Sequence, residues 1–252
     1  MDRGIYTSTS GGMVAERRIE IVSNNLANVN TAGFKGQRIV SRQQEFADTL
    51  ASVIATTPNY AQSEHAYTPG VVDITAETDF SSGPINHTGN PLNVALGEAD
   101  GFFVVQVGDE ERYTRAGSFT LNANRELVTA DGQHVLGADG IITLPATGKA
   151  SISENGTVLA GEQVVSKLRV VKVTDKALLE RIDGTRFKFS GDGETTEMPE
   201  YRLATESLEM PNVSTVSSMV ELISASRTFE AYTKTVKTID EINERVTKLV
   251  RG

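Results

Sequence analysis

The chain has 252 residues, a formal net charge of −9, 38% hydrophobic residues and no cysteine. That excludes disulfides, thiol nucleophiles and cysteine-held metals, and the acidic balance argues against nucleic acid as a main partner. No apolar run of about 18 residues exists to span a bilayer, and no apolar h-region follows Arg3, so neither a membrane-spanning segment nor a signal peptide is expected.

Charge is placed unevenly. Residues 1–40 carry +2, residues 205–252 carry −1, and the middle carries −10. Ends that pack and a middle that faces water fit this distribution.

The first element is helical. Ile5, Ser8, Gly12, Ala15, Ile19, Val22, Leu26 and Val29 step by three and four residues, a narrow seam built partly of small side chains. It suits either a paired helix or an ordinary amphipathic helix on a core. The stretch SNNLANVNTAGFK, Ser23–Lys35, then runs off its end with four asparagines, poor helix formers that compete for backbone hydrogen bonds. Gly33 or Asn30 could end the helix in a left-handed turn. Asn24, Asn25 and Asn28 lie off the seam, where their amides could fix register against neighbouring helices or cap a fraying end. In residues 39–72, Ile39, Gln43, Phe46, Leu50 and Val53 permit a short second helix; a polar stretch around Pro58 reads as a loop or extended arm.

From residue 73 to 204 the pattern is β. Phe102–Val107 is a continuous apolar run of strand length, and Lys167–Val173 alternates and then runs apolar. Asp131-Gly132, Asp139-Gly140, Asn155-Gly156 and Asp183-Gly184 are turn signals between short strands at Glu126–Thr129, Gln133–Leu136, Ile141–Leu144, Ser151–Ser153, Thr157–Leu159 and Arg186–Phe189. The last element is a long helix over 214–251. Leu222, Ala225, Phe229, Tyr232, Val236, Ile239, Asn243, Val246 and Val250 repeat the heptad step, with Ser214 or Thr215 as cap. Met219, Ile223, Ile242 and Leu249 widen its stripe beyond what one partner helix covers. The reading is α+β: coiled-coil-like terminal helices (1–38 and 205–252) packed together, a connecting segment (39–72), and a central mostly antiparallel β domain (73–204).

Catalytic chemistry finds little support. His65, His87 and His134 are too far apart in sequence to suggest a metal pair, and no His-Glu-x-x-His occurs. The glycines around Gly137–Gly140 and Gly191–Gly193 lack the strand–loop–helix context of a phosphate site. A carboxylate pair of glycosidase type is not excluded by counting, but nothing places two carboxylates together in an apolar setting. No catalytic, cofactor-binding or metal residue is assigned, and no cofactor, nucleic acid or small-molecule substrate is expected.

Four segments together resemble one family. SNNLANVNTAGFKGQR (Ser23–Arg38) resembles the N-terminal signature of bacterial flagellar rod and hook proteins. NPLNVALGEADGFFVVQ (Asn90–Gln106) and YTRAGSFTLNANRELVTADGQHVL (Tyr113–Leu136) resemble that family's central motifs, and LEMPNVSTVSSMVELISASRTFEAYTKTVKTIDE (Leu208–Glu241) its closing helix. The opening MDRGIYTSTSGG and the Tyr67–Ile85 run are most similar to the proximal rod group of the F type, with the distal rod group next and the hook group further off. The resemblance implies a subunit of the basal-body rod in the periplasm. It would polymerise helically, with terminal helices inside and β domains outside, and would transmit torque without catalysis. Implied partners are further copies, other rod proteins and the flagellar export apparatus, without a cleaved signal peptide. The residues expected to pack between subunits are Ile5, Ile19, Val22, Asn24, Asn25, Leu26, Asn28, Gly33, Phe34, Leu222, Phe229, Tyr232, Val236, Ile239 and Val246. Two positions depart from the family pattern. Arg125 stands where glycine is usual, so its turn is expected to differ. Ser226 stands where glutamine is common. A β-domain enzyme or carbohydrate-binding module with helical dimerisation arms, and a two-chain coiled-coil adhesin, are the readings from other classes.

Overall fold

The computed structural model describes residues 2–43, 72–190 and 195–251. It divides into two compact units. The helical unit takes Met1–Ala27, Gln37–Thr78 and Thr215–Gly252; the β unit takes Asn28–Gly36 and Asp79–Ser214. Among the described residues the architecture is α+β, two α-helices with a central β region, and every strand pairing is antiparallel.

In the helical unit, α1 spans Asp2–Ala27 and α2 spans Thr215–Arg251. Ser8, Ala15 and Val22 of the seam are buried, and Ile21 with them. Val29, expected as the last seam residue, is not helical, because α1 stops at Ala27 in a turn where the Thr31 amide bonds the Asn28 carbonyl at 3.0 Å. Gly33 does take a left-handed conformation (φ 71°), but six residues beyond the helix end, so it is not the cap. Neither does Asn30, whose φ is not positive.

A helix beginning at Ile39 is corrected for its first residues. Gln37–Gln43 is a strand that pairs residue by residue with Val72–Thr78, from Gln37 opposite Thr78 to Gln43 opposite Val72. β-branched Ile39 and Val40 suit this pairing. Phe46, Leu50, Val53 and the expected loop or arm around Pro58 lie outside the described residues.

In the β unit the run Gly101–Val107 is the central strand. Glu110–Thr114 pairs along one edge of it, and His134–Gly137 and Val170–Val173 share the other. Successive side chains point to opposite faces, and here both faces are covered. Phe103 and Val105 enter one core with Phe119, Leu127, Ile142 and Leu168. Phe102 and Val104 enter a second with Val171, Leu179 and Phe187. That explains a strand apolar throughout. Phe80, Phe102 and Phe187 form a ring cluster with centroids 5.1–6.2 Å apart. Lys167–Val173 is not one strand. It breaks at Leu168–Arg169 into the ends of Gln163–Lys167 and Val170–Val173, which join different sheets.

The turn at Arg125 keeps the shape a glycine would give it. Arg125 itself sits at φ 61°. The Asn122 side chain holds the turn, its Oδ1 accepting from the amides of Asn124 (3.0 Å) and Glu126 (2.9 Å) and its Nδ2 donating to Glu126 Oε2 (2.7 Å).

Candidate functional site

Each unit contributes one feature outside ordinary packing. In the helical unit it is the helix pair. Arg18 Nε and Nη2 donate to Glu221 Oε1 at 3.0 and 2.8 Å, while Gly11 lies under the ring of Tyr232, where a Cβ would come within 2.5 Å. Reading α1 forward therefore reads α2 backward: the pair is antiparallel. The exposed Arg18–Glu221 bridge sets register more than it stabilises, since such pairs contribute about 0–1 kcal/mol. Extending this register, α1 runs out roughly opposite residue 240 of α2.

α2 is only partly covered. Ser218 and Ala225 are buried; Leu222, Phe229, Tyr232, Val236, Ile239 and Val246 are half-buried. Val216, Val220 and Ile223 form a stripe with 73%, 62% and 54% of their surface in water, beside exposed Met219. The groove that continues along the helix is lined by Ile223, Arg227, Ala231, Tyr232 and Thr235. Thr228, Thr233, Thr235, Thr238 and Thr247 each turn their hydroxyl back to the carbonyl four residues earlier. This lets a threonine-rich surface present methyls.

On α1, Val22 and Asn25 are buried, Ile19 and Leu26 half-buried and Asn24 exposed; Ile5 lies in the helix, its side chain outside the described residues. The Asn25 amide pairs both ways with the backbone of Gln37, donating to its carbonyl at 2.7 Å and accepting from its N–H at 2.9 Å. Asn28 lies half-buried in the turn after the helix.

In the β unit the feature is a buried ion cluster. Glu209 Oε1 accepts from Lys35 Nζ at 2.7 Å and from the Gly83 amide at 3.1 Å, and Oε2 accepts from Arg115 Nε at 3.0 Å. The three side chains are 1–2% exposed. Lys35 also donates to the Ser81 carbonyl (2.6 Å), and Arg115 Nη1 to those of Glu98 (2.7 Å) and Gly101. Two cations face one carboxylate. Burial holds the Lys35 ammonium below its ordinary value; the Glu209 carboxylate opposes that shift and Arg115 adds to it. Gly33 and Phe34, both buried, complete the site. A Cβ on Gly33 would overlap the backbone of Arg115 and Ala116. The Arg181 guanidinium, pushed by burial to about 10, lies 4.6 Å over the Phe34 ring and donates to the Lys35 carbonyl.

Sequence reasoning placed Gly33 and Phe34 among the functional residues but missed Lys35, Arg115 and Glu209. All three lie inside the quoted motifs, in GFK, YTRAG and LEMPN, and their presence there was the one available signal.

An antiparallel helix pair that leaves apolar side chains in water, in a chain whose β unit is locked by buried charge, defines a structural subunit suited to being packed upon. Comparison with known proteins gives the family. A family model described as flagella basal body rod protein matches residues 5–35. That of the flagellar hook protein FlgE/F/G D1 domain matches 98–160, and that of the flagellar basal body rod FlgEFG protein C-terminal region matches 204–249. The flagellar basal-body rod protein FlgG of Bacillus subtilis (strain 168) is 30% identical over 275 residues, covering 100% of both chains. FlgG of Borreliella burgdorferi is 31% identical over 260 residues, and FlgF of Caulobacter vibrioides 29% over 245, each covering 96% of both chains. The chain belongs to the flagellar basal-body rod protein family and is a structural component of the rod. No helix among the described residues is long and apolar enough to cross a membrane.

Proposed function

We propose that this chain is a proximal rod subunit that assembles helically through its terminal helices and transmits torque across the periplasm. In this reading the helical unit lines the inner tube and the β unit faces outward. Of the fifteen residues from Ile5 to Val246 named above, those not enclosed by their own chain contribute to packing between subunits, whereas Val22, Asn25, Gly33 and Phe34 are buried within it and serve its own packing; α1 and α2 pack as a coiled coil. The chain reaches its place through the export apparatus without a cleaved signal peptide, and its neighbours are further copies and other rod proteins.

The observation that supports assembly through the helices is the water-exposed stripe Val216, Val220 and Ile223. Burying apolar surface releases about 25 cal/mol per Å², and contiguous exposed apolar surface of this kind marks interaction sites. A contact between unlike faces that does not close into a ring propagates as a helix of subunits. Val220→Glu with Ile223→Glu tests it. The variant should melt within about 0.5 kcal/mol of the parent, as surface substitutions do, yet fail to complete rods or support motility. Normal motility would overturn the reading.

Subtype is tested separately, by expression in strains lacking their FlgF or their FlgG. Rescue of the first alone is the expected result. FlgG relatives match the chain as well as FlgF relatives do, and rescue of the second alone would make it a distal rod subunit.

A further inference from the structure

The chain passes between its two units four times: at Ala27/Asn28, Gly36/Gln37, Thr78/Asp79 and Ser214/Thr215. Inside the β unit, one side chain ties together the segments at three of these points. Asn212 Oδ1 accepts from the Gly36 amide at 2.8 Å. Asn212 Nδ2 donates to the Asp79 carbonyl at 2.8 Å, and to the Ser81 hydroxyl and carbonyl at 3.0 and 3.2 Å. The backbone adds a bond from the Asp79 amide to the Gly36 carbonyl at 2.8 Å. One step further in, the Glu209 carbonyl accepts from the Gly33 amide at 2.8 Å, and its carboxylate holds Lys35 and the Gly83 amide. Segments 33–36, 79–83 and 209–212 are thus one knot, wholly within the β unit.

We infer that Asn212 is a positioning residue for the helical unit: it fixes the three points from which the chain leaves the β unit, so that α2 and the strands Gln37–Gln43 and Val72–Thr78 start from set origins. The helical unit is assembled from three pieces: the short run Asn28–Gly36 lies between the first two, and the whole of Asp79–Ser214 between the second and third. Bringing their ends together costs loop-closure entropy that grows with the length of chain between them. By joining 33–36 to 209–212 the knot replaces the long run of chain from Asn28 to Ser214, between α1 and α2, with a short effective loop, and raises the concentration at which the pieces meet. Asparagine suits the role because the site needs an acceptor for Gly36 and a donor for Asp79 on one side chain. Aspartate keeps only the acceptor, and alanine keeps neither. The inference stands on the β unit's own geometry and is independent of the rod subtype.

The absence of cysteine gives a clean test. In the full chain carrying Arg18→Cys and Glu221→Cys, where the parent side chains meet, the effective concentration of the two thiols is read by equilibration with glutathione in dilute solution. Adding Asn212→Ala should lower it about tenfold, with amide exchange at Phe103 and Val105 of the central strand unchanged. An unaltered effective concentration would overturn the inference. So would a fall accompanied by equally faster exchange at Phe103 and Val105, which would make Asn212 a support of the β core as a whole. Should Asn212→Ala not fold, Ser81→Ala removes one acceptor of the same amide at an exposed position. It should lower the effective concentration about threefold, and no change there would count against the inference.

Discussion

In the helical unit, Val216, Val220 and Ile223 stand in water with more than half their surface exposed; in the β unit, Lys35, Arg115 and Glu209 are almost fully enclosed. Each unit departs from the ordinary partition of side chains, in opposite directions. An exposed apolar stripe costs the isolated chain little and leaves its driving force for association. A buried ion cluster gives weak evidence for stability, because desolvation offsets most of the attraction, but it penalises every arrangement that separates its members. The helical unit is therefore left open to partners, whereas the β unit is closed around a fixed geometry. Substitutions that probe the two should fall into different classes: loss of assembly at constant stability in one, loss of stability in the other.

The largest effect is expected at Glu209. Glu209→Gln leaves two buried cations without their anion. Removing one partner of a buried pair costs about 3–5 kcal/mol, and thermal or urea melting of the β unit should show a loss of that size. A loss below about 1 kcal/mol would mean that the cluster is hydrated and the contrast between the units is smaller than drawn.

Lys35 sharpens the same contrast, since it is the cation in excess. Its folded-state value is depressed below 10.5, chiefly by burial. Stability linked to it is therefore fully present above 10.5, and is lost as pH falls through the depressed value. Between the two, the wild-type chain should gain stability with rising pH. Lys35→Met leaves Glu209 and Arg115 paired one to one, so its cost should stay under about 2 kcal/mol and its melting should lack that alkaline gain. Denaturant midpoints measured from neutral pH up to about pH 10 decide it. A gain retained in Lys35→Met would assign it to another group.

What could be read beforehand follows from where physical information sits in a sequence. α2 was legible almost to the residue because its heptad step is long and uninterrupted. The central strand was legible as an apolar run, although only the structure explains its continuity, by a core on each face. The four-residue step from Ile39 to Gln43 misled because it is too short to separate helix from strand, and pairing with Val72–Thr78 decides it. The ion cluster was invisible to periodicity. Lys35 and Glu209 are 174 residues apart, and a single charged residue in a motif does not announce its partner. The asparagines were visible as an anomaly but not in their action: Asn25 bonds the backbone of its own chain at Gln37.

Arg125 offers the smallest and most local effect. A non-glycine residue at φ 61° is strained, because its Cβ crowds the backbone, at a cost of about 1–2 kcal/mol. Replacement by glycine removes that strain but adds unfolded-state entropy of about 0.5–1 kcal/mol. Among the described residues the guanidinium reaches the Gly148 carbonyl at 3.5 Å, too long to stabilise much, and its Nε is buried without a partner. The turn is meanwhile held by Asn122, whose bonds do not involve the Arg125 side chain. Arg125→Gly should therefore stabilise the β unit by about 0.5–1 kcal/mol, seen as a small rise in the melting midpoint with assembly unchanged. A destabilisation instead would show that the half-buried arginine side chain contributes more than its one long contact suggests, and that this edge of the β unit depends on a charge as its core does.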